Sequence, residues 1–446
     1  MRFLFLLLDF IVFFTLTAII ITIRSDVALN PTVFFLENCK VMFPVFILNI
    51  ILLLIFSFYD LNRIHKEHSN IFIEIFISFI ISFILSAAGI YFGATLFEVP
   101  TPKTNLLLIL LIFYIYVLLS RALYRSLHFS QIKIITLGTS RTLNRLKGIL
   151  KNTNNYEIVQ EFNNISDIPN NLDIKNIDLL LVSNNLLNQD STTTEMIFNT
   201  FISKGIKCLT DFSFFEYTFS RLSKESLENM TWLINNIDNR NQNSTYFIIK
   251  KLFDISFSIC LFPVFLPIGI IIYLLILLID KQDPIFFQKR VGLKGVPIQL
   301  CKFRTFINGT ETPTKLGKIL RKFRLDEIPQ LINILDGNLS VVGPRPLQLE
   351  DNELLNKNIS VHKLRNLVKP GLTGWAQLNF KAPRNYSAEQ LPTFENNFQR
   401  NIYFRDAFVR LAYDVWYVKN SSFLLDLEIM FKTAKRAFVK DKKLSK

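Results

Sequence analysis

The chain has 446 residues, of which half are hydrophobic and 44 are phenylalanine, a composition that is heavy for a purely soluble protein. Residues 281–446 contain 29 Lys and Arg and 15 Asp and Glu, so the whole net charge of +14 lies in the C-terminal part. This charge suits binding to lipid headgroups, phosphates or nucleotides, or it merely keeps a basic domain soluble. The four cysteines form no CxxC pair and have no companion histidines, which argues against a zinc site and against a disulfide framework. Any bound metal is therefore expected to have oxygen ligands, as Mg²⁺ does.

Four long apolar stretches open the chain, and each approaches the ~20 residues that a helix needs to cross a bilayer. They lie at residues 3–23, 41–59, 71–97 and 105–123. Lys and Arg are more frequent after the second and fourth stretches than after the third, while the loop after the first is ambiguous. By the positive-inside rule both termini are then cytoplasmic. We therefore predict four transmembrane helices within residues 1–124, with no cleaved signal peptide.

Residues 131–235 predict a Rossmann-like α/β domain. Three short apolar runs read as buried strands separated by helical stretches, which indicates a parallel sheet; they lie at residues 131–137, 177–182 and 205–209. The turn after the first strand contains one glycine, Gly138, and lacks the GxGxxG pattern of dinucleotide-binding domains. Nucleotide binding is left open, and a regulatory or dimerising module fits better. The aromatic segment 211–237 is predicted to be a packing linker.

A fifth apolar stretch, residues 246–281, contains Pro263 and Pro267. Each proline removes a helix hydrogen bond and clashes with the preceding turn, so we expect the helix to kink or break there. Positive charge at both ends of the stretch favours a re-entrant helix that enters and leaves the membrane on the cytoplasmic face. A proline-kinked fifth span remains the alternative.

The final segment, residues 282–446, contains an acidic pair, Asp326-Glu327, in a strongly basic setting. Alone, the pair fits a capped helix start with surface ion pairs as well as it fits a phosphate site. Guanidinium and ammonium groups suit phosphate oxygens, and cationic motifs cluster around the pair, at Lys302, Arg304 and, between two prolines, Arg345. This clustering favours a site that acts on phosphate.

The ordered motifs of the second half resemble those of the monotopic bacterial phosphoglycosyl transferases. The matching pieces are Lys251–Asp254, the proline-broken helix, Phe287–Gln288, Arg290–Gly292, Lys302–Arg304, Leu325–Gln330, Val342–Pro346, Lys369–Gly374 and Asp414. The N-terminal spans and the α/β domain resemble the large-form members, so the likeness covers the chain. The resemblance implies a mostly α-helical monotopic catalytic module with a re-entrant membrane helix. Leu266 replaces the usual Ser before the helix-breaking proline, which leaves the form of the break open.

The resemblance also implies a function at the bacterial cytoplasmic membrane. A sugar 1-phosphate would pass from a UDP-sugar to undecaprenyl phosphate with release of UMP, as the first membrane step of exopolysaccharide, capsule or O-antigen synthesis. Membrane lipids are expected partners, nucleic acid is not, and a homo-oligomer is left open. Neither the sugar nor the glycan can be read from the sequence.

Residue roles follow from the same resemblance. Asp326 would be the nucleophile and form an aspartyl phosphosugar, a competent covalent role for a carboxylate. Glu327 is assigned to Mg²⁺, with an acid/base role second. Phosphate or substrate contacts are expected from Lys302, Arg304, Arg321, Arg345 and Asp414. For Asp414 a purely structural role fits equally well.

Two other classes of protein were weighed. A non-catalytic membrane scaffold or regulator of polysaccharide assembly predicts loss or burial of the acidic pair, which is instead intact with its cations. A UDP-sugar dehydratase or epimerase would need a dinucleotide fingerprint and a Tyr-x-x-x-Lys pair, and neither is found in the α/β domain. The C-terminal helices, predicted at residues 395–416 and 424–439, fit either the membrane interface or an amphipathic core.

Overall fold

The computed structural model describes most of the chain. The described residues are 2–24, 31–55, 58, 75, 78–88, 103–127, 131–153, 155–169, 172, 176–187, 191–237, 245–310, 312–380 and 397–438. The chain divides into two compact units, and each is described by itself. The first comprises Met1–Lys133 with Leu150–Ile158, and the second comprises Ile134–Ile149 with Val159–Lys446.

The first unit is a group of apolar helices with a small polar interior. Its described helices are α1 (Arg2–Arg24), α2 (Pro31–Ile55), α3 (Ser78–Ala88) and α4 (Lys103–Leu127). Arg121 of α4 donates two hydrogen bonds to the carboxylate of Asp9 in α1, at 3.0 and 2.7 Å, and both side chains are buried. A buried charge is tolerated only when it is paired, so this bidentate ion pair fixes how α1 and α4 face each other.

By length and hydropathy, two helices of the described chain qualify as membrane spans, Leu106–Tyr124 and Thr245–Asp280. Shorter apolar helices cover Leu4–Ile20, Met42–Leu54 and Ser78–Ala88, within the other three predicted N-terminal stretches. Much of the connecting loops on which the predicted orientation rests (residues 25–30, 59–74 and 89–102) lies outside the described residues. The four-span topology therefore stays a prediction.

The α/β domain contains a four-stranded sheet with the order β2-β1-β3-β4. The strands are β1 (Ile132–Leu137), β2 (Tyr156–Phe162), β3 (Leu179–Val182) and β4 (Lys207–Thr210). The pairs β1–β3 and β3–β4 are parallel, which confirms the predicted parallel sheet. The helices between the strands are α5 (Arg141–Leu150), α6 (Asn184–Leu187) and α7 (Ser191–Thr200).

The turn that would hold a nucleotide phosphate in this fold is filled by the protein itself. The Glu225 carboxylate accepts hydrogen bonds from the backbone N–H groups of Arg141 and Thr142, at 3.0 and 2.8 Å, at the N-terminus of α5. This is where phosphate binds in dinucleotide domains. A Cβ added at Gly138, which has φ 90°, would lie only 2.8 Å from the Cβ of Ser183. The geometry favours a structural role for this domain over nucleotide binding.

The predicted packing linker folds into three short helices that join the domain to the C-terminal module. They are α8 (Asp211–Phe219), α9 (Lys224–Glu228) and α10 (Met230–Asn236). Phe212 and Trp232 share one hydrophobic core with Leu411 of the C-terminal module. Lys419 also forms an ion pair with Glu216 at 2.6 Å. Packing is thus the observed role of this segment.

The C-terminal module combines helices with two pairs of strands. The module begins with α11 (Thr245–Leu275), which continues as a wider helical turn over Ile276–Asp280. An antiparallel hairpin of β5 (Ile285–Val291) and β6 (Pro297–Phe303) follows. The parallel pair consists of β7 (Ser340–Val342) and β8 (Gly371–Thr373). The remaining helices are α12 (Lys315–Phe323), α13 (Gln330–Leu335), α14 (Leu349–Asn358), α15 (Trp375–Asn379), α16 (Asn397–Asn420) and α17 (Phe423–Phe438).

The long helix α11 is helical through both prolines, Pro263 and Pro267. The helix is not interrupted at either proline. The expected break is therefore not observed, and a kink stays a prediction. Both ends of the helix contact the module: Lys250 pairs with Asp426 at 2.6 Å, and Asp280 accepts a hydrogen bond from Thr314 at 2.8 Å.

The two C-terminal helices are core elements. Val415 and Tyr417 of α16 and Ile429 of α17 are almost completely buried, in hydrophobic cores that also include β7. Of the two interpretations drawn from the sequence, the amphipathic core helix therefore describes these faces.

Candidate active site

The acidic pair lies on a tight turn between two helices. Asp326 and Glu327 belong to the single 3-10 turn Leu325–Glu327, which connects α12 to α13. Arg324 ends α12 in the left-handed conformation, with φ 55°, and reverses the chain direction. Pro329 precedes α13 as its N-cap, where its missing N–H costs nothing because the first helical N–H groups have no partner within the helix. Rigid backbone on both sides thus holds the two carboxylates.

Glu327 lies inside a ring of cations. Its carboxylate oxygens are 3.5 Å from Arg345 Nη2, 3.9 Å from Lys302 Nζ and 3.9 Å from Arg324 Nη1. The side chains of Glu327 and Lys302 are each 13% exposed, whereas Arg324 is 69% exposed. Because exposed ion pairs contribute little, Lys302 and Arg345 are the partners that matter.

Asp326 has a different environment from its neighbour. Within the part of the chain that the structure describes, its carboxylate takes part in no ion pair. Burial and the nearby Glu327 carboxylate raise the pKa of Asp326, while the charges of Lys302 and Arg321 oppose the rise. An under-neutralised carboxylate is more basic and therefore better suited to attack an electrophile.

Burial also lowers the pKa of Lys302, with the carboxylate of Glu327 opposing that shift and the charge of Arg345 adding to it. Lys302 is poorly solvated and lies near a second cation, Arg345, so the Glu327 carboxylate does not fully offset the positive charge. A phosphate placed beside Lys302 and Arg345 would supply the missing negative charge.

Arg321 and Arg304, both predicted phosphate contacts, have different surroundings in this structure. The Arg321 guanidinium stacks 4.7 Å above the ring of Phe306, on the side of α12 that leads to the turn. Arg304 instead donates hydrogen bonds to the backbone oxygen of Asp283 at 2.7 Å and to Asn308 at 2.8 Å. The described contacts of Arg304 therefore brace a loop and do not involve the acidic pair.

Asp414 lies in the interior, where it pairs with Arg365 at 2.9 Å. Arg365 also donates a hydrogen bond to the backbone oxygen of Arg345 at 2.8 Å. The structure thus places Asp414 behind the site, where it holds the guanidinium that supports the Arg345 backbone. This arrangement fits the structural alternative drawn from the sequence, and a substrate contact by Asp414 stays a prediction.

A small cavity of about 20 Å³ identifies two residues that the sequence did not assign to the site, Arg290 and Gln330. They line it together with Lys302, Glu327 and Arg345. Arg290 could have been assigned to the site from the sequence, since it belongs to one of the cationic motifs. Gln330 could not, because its position next to Pro329 does not indicate that its side chain is buried in the cavity wall.

The two carboxylates of the site, Asp326 and Glu327, are the candidate ligands for Mg²⁺. Among the described residues no group of three or more His, Cys, Asp or Glu side chains could hold a metal. Mg²⁺ is commonly bound by one or two protein carboxylates with substrate phosphates and water as the other ligands. Asp326 and Glu327 meet that requirement only with a phosphate substrate present, so the residues fit a metal that arrives with the substrate.

A half-buried carboxylate pair in which Glu327 is surrounded by cations, beside a long helix with an apolar exposed face, is the arrangement expected of a transferase that handles phosphate groups next to lipid. Comparison with known proteins agrees. Residues 245–440 match the family described as bacterial sugar transferase. An uncharacterized sugar transferase of Bacillus subtilis, EpsL, is 35% identical over 205 residues, which cover 44% of this chain and 89% of EpsL. The chain belongs to the bacterial sugar transferase family.

Two relatives with more specific names match stretches of similar length. A UDP-N-acetylgalactosamine-undecaprenyl-phosphate N-acetylgalactosaminephosphotransferase of Aeromonas hydrophila is 31% identical, over 42% of this chain and 43% of its own. A UDP-glucose:undecaprenyl-phosphate glucose-1-phosphate transferase of Klebsiella pneumoniae is 34% identical, over 44% of this chain and 42% of its own. The match thus spans less than half the length of either named transferase.

Proposed function

We propose that this protein transfers a sugar 1-phosphate from a UDP-sugar to undecaprenyl phosphate and releases UMP. The relatives from Aeromonas and Klebsiella carry names of this reaction type, with different sugars. The observation that carries the proposal is the division of the acidic pair, in which Glu327 gathers Lys302 and Arg345 while Asp326 keeps an under-neutralised carboxylate beside them.

In the first step, a carboxylate oxygen of Asp326 attacks the β-phosphorus of the UDP-sugar. The bond between that phosphorus and the bridging oxygen breaks, and UMP leaves with the electron pair. The product on the enzyme is an acyl phosphate that carries the sugar. Lys302 and Arg345 lie where they would offset the repulsion between the attacking carboxylate and the diphosphate.

In the second step, a phosphate oxygen of undecaprenyl phosphate attacks the same phosphorus. The acyl phosphate bond breaks, and Asp326 leaves as the carboxylate it was before the reaction. The two anionic nucleophiles are already deprotonated, so neither step requires a general base, and an acid/base role for Glu327 is secondary.

A magnesium ion would be held by Glu327, with Asp326 nearby and phosphate oxygens of the substrate as further ligands. When bound, it supplies positive charge that neutralises the diphosphate and the leaving UMP. Lys302 and Arg345 already face Glu327, so the metal would compete with them for this carboxylate.

The contacts of α11 support placing the catalytic module on one face of the membrane. The helix is about 46 Å long at 1.5 Å per residue, which exceeds the ~30 Å hydrocarbon core. If it crossed the bilayer, its two ends could not both contact one module, yet Lys250 and Asp280 both do. The helix is therefore best placed within one leaflet, as a re-entrant or interfacial element on the cytoplasmic side.

The test uses Asp326→Asn in the full-length protein in membranes. We expect it to abolish UMP release from a panel of UDP-sugars, as well as labelling of the protein by radiolabelled sugar phosphate, because an amide cannot form the acyl phosphate. The matched control is Asp336→Asn, an exposed aspartate ten residues further on, which should keep both. Full UMP release by Asp326→Asn would contradict the nucleophile assignment, and no UMP from the parent with any UDP-sugar would favour a non-catalytic scaffold.

A further inference from the structure

A second and larger cavity, of about 330 Å³, lies beside the first turns of α11. Its volume is near the lower end of the range of small-molecule pockets, about 300–1,000 Å³. Three lysines line it, Lys250 and Lys251 from the helix and Lys369 from the loop before β8, together with one carboxylate, Asp254. It shares no lining residue with the cavity at Glu327.

Two of these lysines lack a direct ion-pair partner among the described residues. Lys250 is neutralised by Asp426 at 2.6 Å. Across the described ranges of the chain, the side chains of Lys251 and Lys369 form no ion pair and no hydrogen bond. Burial lowers the pKa of Lys369, the Asp254 carboxylate opposes this, and the charges of Lys251 and Lys250 add to it. The cavity is therefore short of negative charge.

The mouth of the cavity is apolar as well as basic. Ile248 lines it, and Ile248, Ile249 and Leu252 are all exposed large hydrophobic residues on the same two turns of α11. They continue into the apolar exposed face of the helix. A soluble phosphate would gain nothing from this surface, whereas an amphiphile with a phosphate headgroup would bury its chains against it.

We propose that this cavity binds the phosphodiester headgroup of an anionic bilayer phospholipid. Lys251 and Lys369 contact the phosphate, and the acyl chains run along Ile248 and Leu252. The proposal does not rest on the transferase activity, and it assigns to the module a fixed lipid contact in addition to general attraction to an anionic surface.

The reacting phosphate of the lipid acceptor belongs elsewhere. Along α11, Lys251 lies 18 residues before Gly269, a rise of about 27 Å at 1.5 Å per residue. A Cβ on Gly269 would lie 3.9 Å from a methyl group of Ile328, next to the acidic pair. A lipid phosphate held by Lys251 is therefore one that is not in reaction.

The experiment is a titration of the detergent-solubilised full-length protein with phosphatidylglycerol, followed by native mass spectrometry. We expect one saturable lipid site. Lys251 is exposed, so Lys251→Gln should not disturb the fold, and it should weaken the affinity for phosphatidylglycerol about fivefold. The double variant Lys251→Gln with Lys369→Gln should weaken that affinity about 25-fold. The matched control for the single variant is Lys289→Gln, an exposed lysine on the neighbouring hairpin outside the cavity lining, which should change the affinity less than twofold.

Competition identifies the source of the phosphate. Neither sn-glycerol 3-phosphate nor undecaprenyl phosphate should displace the phospholipid at equimolar concentration. The proposal is overturned if the hairpin control weakens binding as much as the cavity variants do, or if the cavity variants bind normally. It is also overturned if the soluble phosphate binds as tightly as the lipid, or if undecaprenyl phosphate displaces the phospholipid one for one. UMP release is measured separately, so failure of this site and failure of the transferase proposal are distinguishable.

Discussion

Asp326 and Glu327 are adjacent in the chain but differ in what surrounds them. Glu327 gathers two well-placed cations, and Asp326, one residue earlier on the same turn, does not. A single carboxylate could not both hold Lys302 and Arg345 and remain reactive, because pairing with cations lowers its basicity. Under the proposed mechanism, Glu327 would therefore collect positive charge and Asp326 would attack.

This separation predicts a pH dependence. Asp326 must be ionised to attack, and its pKa is raised, so UMP release should decline at a higher pH than the ordinary value of about 3.9 would give. Glu327→Gln removes a neighbouring negative charge, which lowers the pKa of Asp326 and moves the acid limb to lower pH, although the plateau rate falls. Lys302→Gln should move the limb to higher pH. The measurement is kcat/KM for UMP release against pH.

The parent enzyme is the reference for both variants, and the direction of each shift is the decisive reading. Opposite shifts support the assignment of Asp326 as the ionising group. If both variants moved the acid limb in the same direction, or neither moved it, another group would control the profile.

At the scale of elements, the site depends on the close approach of β7 and β8 rather than on any large helix. Gly371 donates a backbone hydrogen bond to the Pro344 oxygen at 3.0 Å, and Gly343 donates one to Thr373 at 2.8 Å. A Cβ on Gly371 would lie 2.0 Å from the backbone nitrogen of Gly343. Only a glycine fits, so this contact fixes the loop that presents Arg345.

We therefore expect Gly371→Ala to lower the free energy of unfolding by at least about 1–3 kcal/mol and to reduce UMP release, because the backbone must move and Arg345 moves with it. Thermal unfolding and UMP release measure the two effects. The contrast is Gly148→Ala, on an open helical surface with nothing within 4 Å of the new Cβ, which should stabilise by up to about 1 kcal/mol and leave UMP release unchanged. Parent-like stability and rate in Gly371→Ala would refute the proposed close contact.

The elements also show what could be predicted from the sequence. The strands β1, β3 and β4 were predicted because buried parallel strands read as continuous apolar runs. The strand β2 was missed, because its residues, Tyr156–Phe162, mix polar and apolar side chains on a largely exposed strand. Whether α11 would kink or break at Pro263 and Pro267 could not be decided from the sequence, because a proline removes a helix hydrogen bond in either case.

The site was predicted only in part, because only some of its residues belong to local sequence motifs. Asp326, Glu327, Lys302 and Arg345 stand out in motifs, and the fold brings Glu327, Lys302 and Arg345 together beside Asp326. Arg365 gave no such signal, because its role depends on a partner 49 positions away, Asp414. Contacts of that range are set by the tertiary structure and leave no local pattern.

At the scale of the second unit, the packing segment 211–237, which precedes α11 in the chain, shares a hydrophobic core with residues of the C-terminal module that follow α11. If α11 stays within one leaflet, positions on either side of it must lie on the same face of the membrane. Two exposed positions are suitable for a test, Lys224 before the helix and Asp283 after it.

In a background without the four native cysteines, Lys224→Cys and Asp283→Cys should both react only with a reagent on the cytoplasmic side. The measurement is labelling of intact spheroplasts against inverted vesicles with a membrane-impermeant maleimide. A cysteine introduced at an exposed position of the hairpin, such as Lys289, provides the accessibility control. Labelling of the two positions from opposite sides would establish a fifth span.

A Cβ added at Gly269 of α11 would lie 3.9 Å from a methyl group of Ile328, the residue after the acidic pair. If α11 lies in lipid as proposed, the helix therefore fixes the depth of Asp326 relative to the bilayer surface, whatever the orientation of the α/β domain. A lipid-borne phosphate also keeps a nearly constant depth. Under the proposed reaction, the two reactants would therefore meet by lateral diffusion within one plane, and the acceptor would not need to leave the membrane in order to react.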